Sequence, residues 1–467
     1  MIFNSVPFFL FFAVVAPLYW LVPTRFSWVV LVGANAYFYL QGEWQAAAVL
    51  GLVIVVGYLS GRAMEGKEKK EERKKAMWAG VVINLLVLLS FKVSGFAIPL
   101  GLSFYGLATV SYTIDCYRGW MKPEPHLGHF ASFVSFFPLV LSGPIERAPR
   151  LLKQLKEAHH FDEARVVNGL LLFAWGLFKK AVVADRLSPF AKAVFDHPEG
   201  QPGWLLLFGT ALACLQLYAD FSGYSDMAIG IAKALGLDVM ENFKRPFLAA
   251  SIEDLWGKRW HLALTGWMKD YVFNPVSYLM RRQPAKRRHL IILLVFFLTG
   301  LWHGAEARYL VWGLINGVFV LVHVLSAEWR KKVVLKLGLD KVPRLHRVAS
   351  TLFTVTLFGL GAIVFLAHNF GDAVVIYSHL FSGWGALSVA ALKTTLLESN
   401  GPVAFGLAML SLGLLFAVEL AEEQLGSLRA YFAARPIWIR WPAYYALLIT
   451  ILLLGVFQRA EFIYQQF

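Results

Sequence analysis

The residues of this sequence that are best suited to chemistry surround His303, where an uncharged run ends. Residues 290–301 carry no charge, and Trp302, His303 and Gly304 follow before a charge returns at Glu306. Polar groups at a break in an apolar segment are typical of transport and catalytic sites in membranes. An imidazole, with an ordinary pKa of about 6.5, can accept a proton near neutral pH. We therefore predict that His303 acts as a general base.

The composition places these residues in a membrane protein. Hydrophobic residues make up 58% of the chain and charged residues 16%, whereas charged residues make up about a quarter of ordinary soluble domains. The formal net charge is +14, and basic residues cluster in the loops 66–75, 281–289 and 329–347. Short basic loops stay in the cytoplasm, so this charge requires no nucleic acid, and membrane lipids are the expected surroundings.

The two cysteines indicate what kind of site is absent. Cys116 and Cys214 both lie inside apolar segments and are far apart in the sequence. This placement argues against a disulfide framework and against a cysteine-rich zinc site. We predict no bound metal and no tightly bound cofactor.

Eleven apolar segments are candidates for crossing the membrane. They cover residues 3–22, 27–41, 45–61, 77–92, 97–116, 167–183, 203–219, 306–327, 348–368, 401–421 and 443–457. Two further apolar pieces, 130–142 and 290–301, are shorter than a span requires, which predicts broken or re-entrant helices around a cleft. The fold class is therefore all-α, a polytopic membrane protein of roughly 11–13 transmembrane or re-entrant helices. We expect one membrane domain over residues 1–467, with a catalytic core at about 130–330.

The orientation follows from the basic loops. The first apolar segment lacks a basic start and a small-residue cleavage site, which favours a retained helix over a signal peptide. With the loop 62–75 in the cytoplasm, the N-terminus and residues 42–44 lie outside.

Two polar stretches in the central third carry further candidates, because polar groups at membrane depth mark functional sites by default. Residues 136–155 combine prolines and a glycine with a Glu-Arg pair, which predicts a bent segment that returns to a basic surface. Residues 218–247 place Asp220 and Asp226 at the end of an apolar run. These carboxylates are either functional groups or partners of Arg245, Lys233 or Lys244.

A third polar stretch, residues 251–275, mixes aromatic and basic residues. Trp256, Trp260 and Trp267 alternate there with lysine, arginine and histidine. This pattern is more typical of an interfacial aromatic belt than of substrate contacts. His323, on one face of an apolar helix, is interpreted as an ordinary core histidine.

Several motifs together resemble the membrane-bound O-acyltransferase family, and within it the bacterial branch of alginate O-acetylation. The motifs are MIFNSVPFFLFF at the start, FP-x4-GPI-x-R (137–147), DFSGYSDMAIGIAKALG (220–236), ENFKRPF (241–247), a Trp-basic-Trp-His cluster (256–261), LTGLWHGA (298–305) and EFIYQQF (461–467). The likeness spans essentially the whole chain. The resemblance implies a multi-helix fold with a central funnel or tunnel that reaches a histidine from both faces.

The resemblance also implies roles for individual residues. His303 matches the family's near-invariant histidine, and His261 matches its second catalytic position. The candidate substrate-binding residues are Trp302, Arg259, Trp260, Asp220, Ser222, Tyr224, Asp226 and Asn242.

The implied reaction passes an acetyl group across the membrane. Acetyl-CoA is the expected donor, approaching from the cytoplasm, where basic residues such as Lys258 attract its phosphates. The expected acceptor is an extracytoplasmic polysaccharide or an acyl-accepting transferase protein outside the cell. His303 either deprotonates an acceptor hydroxyl or takes the acetyl group itself. The expected location is a bacterial inner membrane.

Two departures from the family pattern and two alternatives accompany this prediction. Gly257 is one additional residue where relatives read FWRRWH, and the C-terminal FIYQQF replaces FIYFQF.

D-alanyl transfer to teichoic acid from a carrier-protein thioester is the nearest rival reaction. A proton-coupled transporter, with Asp220, Asp226 and His303 as a relay, is the alternative from another class, for which internal repeats are expected.

Overall fold

Apolar sequence in this protein forms helices, because backbone groups in a membrane must be satisfied within the segment. The computed structural model describes residues 1–94, 97–384, 393–397 and 401–457, so the C-terminal EFIYQQF motif lies outside the described residues. Within these ranges the regular secondary structure is helical. Eight helical segments among them are long and apolar enough to cross a membrane, and two shorter helices are also apolar. The all-α membrane architecture is thereby confirmed.

The N-terminal part is a group of five helices. They are α1 (Val6–Leu21), α2 (Thr24–Leu40), α3 (Trp44–Arg62), α4 (Lys70–Val93) and α5 (Leu102–Arg118). The helices α3, α4 and α5 pack on one another. Small residues allow this close approach, since a Cβ atom at Gly80 would lie 2.2 Å from Ser60 Oγ.

The bent segment predicted over residues 136–155 is present. Helix α6 (Leu127–Val134) ends before it, irregular backbone follows, and α7 (Ala148–Lys156) begins after the Glu-Arg pair. The irregular backbone is buried and held by side chains, since Asn35 Oδ1 accepts the Phe137 N–H at 2.8 Å. The apolar piece 130–142 is therefore half helix and half buried loop, because the loop finds its hydrogen-bond partners inside the protein.

The most extensively packed pair of helices lies in the middle of the chain. Helix α8 (Glu163–Leu177) continues through a π-helical turn (Phe178–Ala184) into α9 (Asp185–Phe195), and α10 (Gly203–Ala234) packs along them. Two glycine pairs bring the backbones together. A Cβ atom at Gly176 would lie 2.5 Å from Gly223 O, and a Cβ atom at Gly230 would lie 2.6 Å from Gly169 O. The glycines of the DFSGYSDMAIG motif thus serve helix packing.

Three short helices connect α10 to a helical hairpin. They are α11 (Ile252–Lys258), α12 (Leu262–Met268) and α13 (Asn274–Leu279), and the hairpin consists of α14 (Ala285–His303) and α15 (Ala307–Leu325). The twelve apolar residues 290–301, which are shorter than a span requires, predict a short first arm for this hairpin, and this prediction is wrong. Both arms have 19 residues, because the basic residues after Pro284 continue the helix.

The remaining helices surround this centre. They are α16 (Ala327–Lys336), α17 (Pro343–Leu366), α18 (Phe370–His379), α19 (Pro402–Leu425), α20 (Leu428–Ala433) and α21 (Ile437–Leu454). Helix α17 packs against α15, α10 and α11, and so closes one side of the hairpin. Each of the eleven apolar segments expected to cross the membrane coincides with one of the helices described above.

Candidate active site

His303 is the last residue of α14 and lies in a ring of aromatic side chains. Its side chain is buried, and its ring centroid lies 4.7 Å from that of Trp302, 5.0 Å from Trp312 and 5.1 Å from Phe365. The chain turns directly afterwards at Gly304, where a Cβ atom would lie 2.4 Å from the ring of Tyr309. The predicted helix break is confirmed, and glycine is required there because the neighbouring ring leaves no room for a side chain.

His261 approaches the same region from the junction of α11 and α12. Its backbone is left-handed, with φ of 46°, which is uncommon for a residue other than glycine. Asn242 holds this conformation through three contacts. Its backbone O accepts the Leu262 N–H at 2.9 Å, and its Oδ1 lies 3.4 Å from the Ala263 nitrogen and 3.0 Å from His261 Nδ1. Strain of this kind persists only where the surroundings fix it, and it concentrates at functional sites.

The hydrogen bonds of Asn242 determine the tautomer of His261. The amide Nδ2 of Asn242 donates to Ser225 Oγ at 3.0 Å, so its Oδ1 faces the imidazole. An amide oxygen can only accept, and His261 Nδ1 therefore carries the proton. The Nε2 atom of a neutral His261 then holds the lone pair, which suits a base or a hydrogen-bond acceptor.

Both histidines line one cavity, which we call the histidine cavity. Its volume is about 310 Å³. The lining residues are Glu253, Trp256, Gly257, Trp260, His261, Leu264, Thr265, Met268, Lys269, Phe273, Ile292, Val295, Phe296, Thr299, His303, Trp312 and Val320. The structure places His303, His261 and Trp260 on the wall of the same cavity. Trp302 packs between the histidines, with its ring centroid 5.8 Å from that of His261.

A second, larger cavity of about 870 Å³ lies beside the first, and we call it the polar cavity. Charged residues of both signs line it, namely Arg150, Lys179, Asp226, Lys233, Asp238, Glu241, Lys244, Arg245, Glu419, Glu422 and Arg429. Asn242 also lines it. The hydrogen bond from His261 to Asn242 therefore joins the walls of the two cavities.

The acidic candidates of α10 are paired with lysines of the π-helical turn. Asp220 accepts from Lys180 at 2.6 Å, and Lys180 also contacts Asp185 at 2.8 Å. Asp226 accepts from Lys179 at 2.8 Å. The alternative that these carboxylates pair with basic residues is confirmed, although the partners are Lys179 and Lys180 and not the lysines and arginine considered from the sequence.

Ser222 and Tyr224 are buried in the packing of α10. Ser222 has no exposed surface, and the Tyr224 ring stacks on that of Phe3 at 4.7 Å. These two residues and Asp220 are not among the residues that line the histidine cavity.

Arg259 lies in an ion-pair cluster on the far side of His261. Its Nε donates to Asp254 at 2.8 Å and its Nη2 to Glu423 at 3.0 Å. Burial opposes the charged form of Arg259, but these hydrogen bonds outweigh burial and raise the pKa of the guanidinium. The structure does not bring Arg259 to the histidine cavity.

The tryptophans of residues 256–267 are buried, so their interpretation as an interfacial belt is wrong. The exposed fractions are 7% for Trp256, 3% for Trp260 and 6% for Trp267. The physical reason is that α11 and α12 fold inward. Trp256 packs on Trp312 with centroids 5.8 Å apart, and Trp267 Nε1 donates to Leu107 O at 3.0 Å.

Sequence reasoning missed several residues around the histidines. Trp312 and Thr299 line the histidine cavity, and Lys92 Nζ donates to His303 O at 3.1 Å. One signal was available, since Lys92 is a lone charge near the end of an apolar segment. Among the described residues, no group of three or more His, Cys, Asp or Glu side chains could hold a metal ion.

Comparisons with known proteins identify the family of this chain. Residues 102–349 match the family model of the membrane-bound O-acyltransferases. The chain is 32% identical to the probable alginate O-acetylase AlgI of Azotobacter vinelandii over 408 residues, which is 82% of this chain and 78% of that protein.

Two relatives act on other acceptors. The chain is 28% identical to the peptidoglycan O-acetyltransferase of Helicobacter pylori, over 75% of this chain and 72% of that protein. It is 27% identical to the teichoic acid D-alanyltransferase of Bacillus subtilis, over 50% of this chain and 60% of that protein. The enzyme interpretation therefore replaces the transporter alternative, and the chain belongs to the membrane-bound O-acyltransferase family.

Proposed function

We propose that this membrane O-acyltransferase takes an acetyl group from cytoplasmic acetyl-CoA and passes it to an extracytoplasmic polysaccharide, directly or through a partner transferase. One observation carries the proposal. His303 and His261 lie on the wall of one mostly apolar cavity, whose exposed lining residues are Glu253, Gly257 and Lys269. Such a cavity can bring a thioester to a neutral imidazole and exclude water from it.

The exposed end of the cavity lies near the basic side of the protein. Glu253 lies 3.5 Å from His323, near the end of α15, and the carbonyl O of His323 accepts from Arg330 on α16. Helix α16 begins the basic loop 329–347. Basic loops stay in the cytoplasm, so the cavity opens toward a cytoplasmic donor.

The acceptor approaches from the opposite end of the hairpin. His303 lies three residues from the exposed Glu306 of the α14–α15 turn, and residues 290–303 of α14 separate this turn from the basic loop 281–289. A helix of that length rises about 21 Å, which is more than half of a ~30 Å hydrocarbon core. His303 thereby lies in the outer half of the membrane, from which a polysaccharide or a partner transferase outside would receive the acetyl group.

Two chemical routes use this arrangement. In the first, His303 removes the proton of an acceptor hydroxyl, whose oxygen attacks the thioester carbonyl and releases the CoA thiol. In the second, an imidazole nitrogen of His303 attacks the carbonyl, releases the CoA thiol and hands the acetyl group to the hydroxyl. In both routes the tautomer of His261 that Asn242 fixes lets its Nε2 atom orient the reacting groups.

The remaining candidate residues have four different roles under this proposal. Trp260 and Trp302 shape the space for the acetyl group, and Asn242 positions His261. Asp226 lies in the polar cavity. Asp220, Ser222, Tyr224 and Arg259 hold the surrounding helices in place.

Purified protein in detergent or lipid nanodiscs tests the proposal with two labelled donors. We expect consumption of labelled acetyl-CoA, seen as released CoA thiol and as label on an added polysaccharide or in free acetate. We expect no reaction with a D-alanyl carrier protein. The His303→Ala variant is the control for background hydrolysis. Reaction with the D-alanyl carrier alone would replace the proposed donor, and reaction with neither donor would contradict the proposal. Radiolabel retained on denatured protein would identify the acetyl-histidine route.

A further inference from the structure

Gly257 lies at the exposed end of the histidine cavity and leaves it open. The residue is part of α11 and is exposed, and it lines the cavity that holds both histidines. A Cβ atom built on Gly257 meets no atom within 4 Å. A larger side chain at this position would therefore project into open space at the cavity entrance.

The character of the wall changes along the cavity. Exposed charged groups, Glu253 and Lys269, lie at the entrance together with Gly257, whereas the buried wall includes Trp256 and Trp260 and leads to His261. An occupant must therefore have a thin, mostly uncharged arm and a charged outer part. A sugar polymer does not fit these walls, because its hydroxyl groups would lose their hydrogen bonds to water without replacement.

Lys269 at the entrance and Lys258 next to it carry two positive charges against the one negative charge of Glu253. Both side chains are exposed, and Lys258 is the residue that follows Gly257. Exposed ammonium groups attract phosphates without fixing their geometry. The entrance thus suits a phosphorylated pantetheine arm, whose phosphates remain outside while its thioester reaches the histidines.

We propose that Gly257 is a specificity-determining residue. The width of the entrance at Gly257 allows a phosphopantetheine thioester to pass and sets the largest acyl group that can pass with it. The inference rests on the proposed function and deepens it, because it assigns the donor to the histidine cavity and not to the neighbouring polar cavity. The additional residue in this chain, relative to the FWRRWH pattern, then has a function.

A size series at Gly257 tests the inference by turnover. The Gly257→Ala, Gly257→Leu and Gly257→Trp variants should show a stepwise loss of kcat/KM for acetyl-CoA, reaching about tenfold or more for tryptophan. Longer acyl-CoA donors should lose activity at a smaller side chain than acetyl-CoA does. Gly413 on α19 is a matched control, since it is also a helical, exposed glycine with no atom within 4 Å of its Cβ position, and Gly413→Trp should leave turnover unchanged. Wild-type kcat/KM in the Gly257→Trp variant would overturn the inference.

Thiol labelling tests the same inference without turnover. The native cysteines, Cys116 and Cys214, are both buried, so a charged maleimide should label a Gly257→Cys variant selectively. Desulfo-coenzyme A, which lacks the thiol that would consume the maleimide, should slow this labelling and should not slow the labelling of a Lys331→Cys variant on α16. Equal labelling of Gly257→Cys with and without desulfo-coenzyme A would place the donor elsewhere and overturn the inference.

The two tests remain separable from the proposed function. If wild-type protein accepts only a D-alanyl carrier protein, the proposed donor is wrong, but the size series is repeated with that donor, because it carries the same phosphopantetheine arm. A stepwise loss with the carrier would support the role of Gly257, and an unchanged rate would overturn it.

Discussion

Two regions of this enzyme bury polar groups at membrane depth. In one region these groups form ion pairs, and in the other they face a cavity. Between α8 and α10, Lys180 lies within 2.8 Å of both Asp185 and Asp220, so each carboxylate lies against the positive charge of the shared lysine. Around the hairpin of α14 and α15, the imidazoles of His303 and His261 face aromatic rings and a cavity.

The difference shows that depth alone does not identify a catalytic group. Burying a charge is costly unless a partner lies close, so a paired cluster contributes to helix packing and leaves no group ready to react. A buried histidine beside a cavity can change its protonation or bond to substrate without first breaking an ion pair. Both regions meet the sequence criterion for function, but of these two regions the second is the one whose histidines line a mostly apolar cavity.

The largest expected effect is at His303. The His303→Ala variant should lower acetyl transfer by roughly 100- to 10,000-fold, because a positioned acid-base group typically contributes that much. The amount of protein in the membrane should stay the same. Transfer from labelled acetyl-CoA, normalised by immunoblot, is the measurement.

The control is His323→Ala, which should remain near normal, since His323 lies on α15 outside the histidine cavity. If the His303→Ala variant kept more than about a tenth of wild-type activity, His303 would not be the acyl-transfer residue.

The paired cluster should respond through stability instead of rate. The Lys180→Met variant leaves Asp185 and Asp220 without their shared lysine, and removing one partner of a buried ion pair typically costs about 3–5 kcal/mol. We expect a lower unfolding temperature and less protein in the membrane. Asp220→Asn should be milder, because Lys180 keeps its contact with Asp185.

Thermal unfolding of the detergent-purified variants, followed by size-exclusion chromatography, ranks these two changes. A Lys180→Met protein with normal stability and no transfer activity would reverse the contrast between the two regions and make the cluster part of the catalytic machinery.

An intermediate effect is expected at Asn242, which connects the two cavities. The Asn242→Ala variant removes the acceptor for His261 Nδ1 and should lower kcat on the order of tenfold, with little change in KM. Asn242→Asp keeps an acceptor oxygen and should retain more activity than Asn242→Ala. Steady-state kinetics with acetyl-CoA separates kcat from KM, and a change in KM alone would assign Asn242 to substrate binding.

The smallest effect is expected at the cavity entrance. The Lys258→Gln variant should raise the KM for acetyl-CoA roughly two- to threefold at low ionic strength, and the difference should vanish in high salt, because exposed charges are screened. Arg259→Gln should instead lower the unfolding temperature, since its partners Asp254 and Glu423 lose their guanidinium. A salt-independent change in KM at Lys258 would indicate a direct hydrogen bond to the donor.

The sequence by itself determined the membrane class and the positions of the helices. It also singled out His303 and His261 as candidate site residues. Long apolar segments have few alternatives to a helix in a bilayer, so composition and length suffice to place them. The break at His303 was also visible, because Gly304 follows an uncharged run directly and the charge at Glu306 comes two residues later.

The tertiary structure decided which polar residues face one another. Tryptophans beside basic residues look alike in sequence whether they face lipid headgroups or the protein interior, and only the inward folding of α11 and α12 shows that Trp256 and Trp260 are buried. The partner of Asp220 is 40 residues away on the π-helical turn, and Asn242 meets His261 across a chain reversal. These contacts depend on how helices pack, which no local pattern encodes, because a side chain's role at depth is set by the groups that surround it in space.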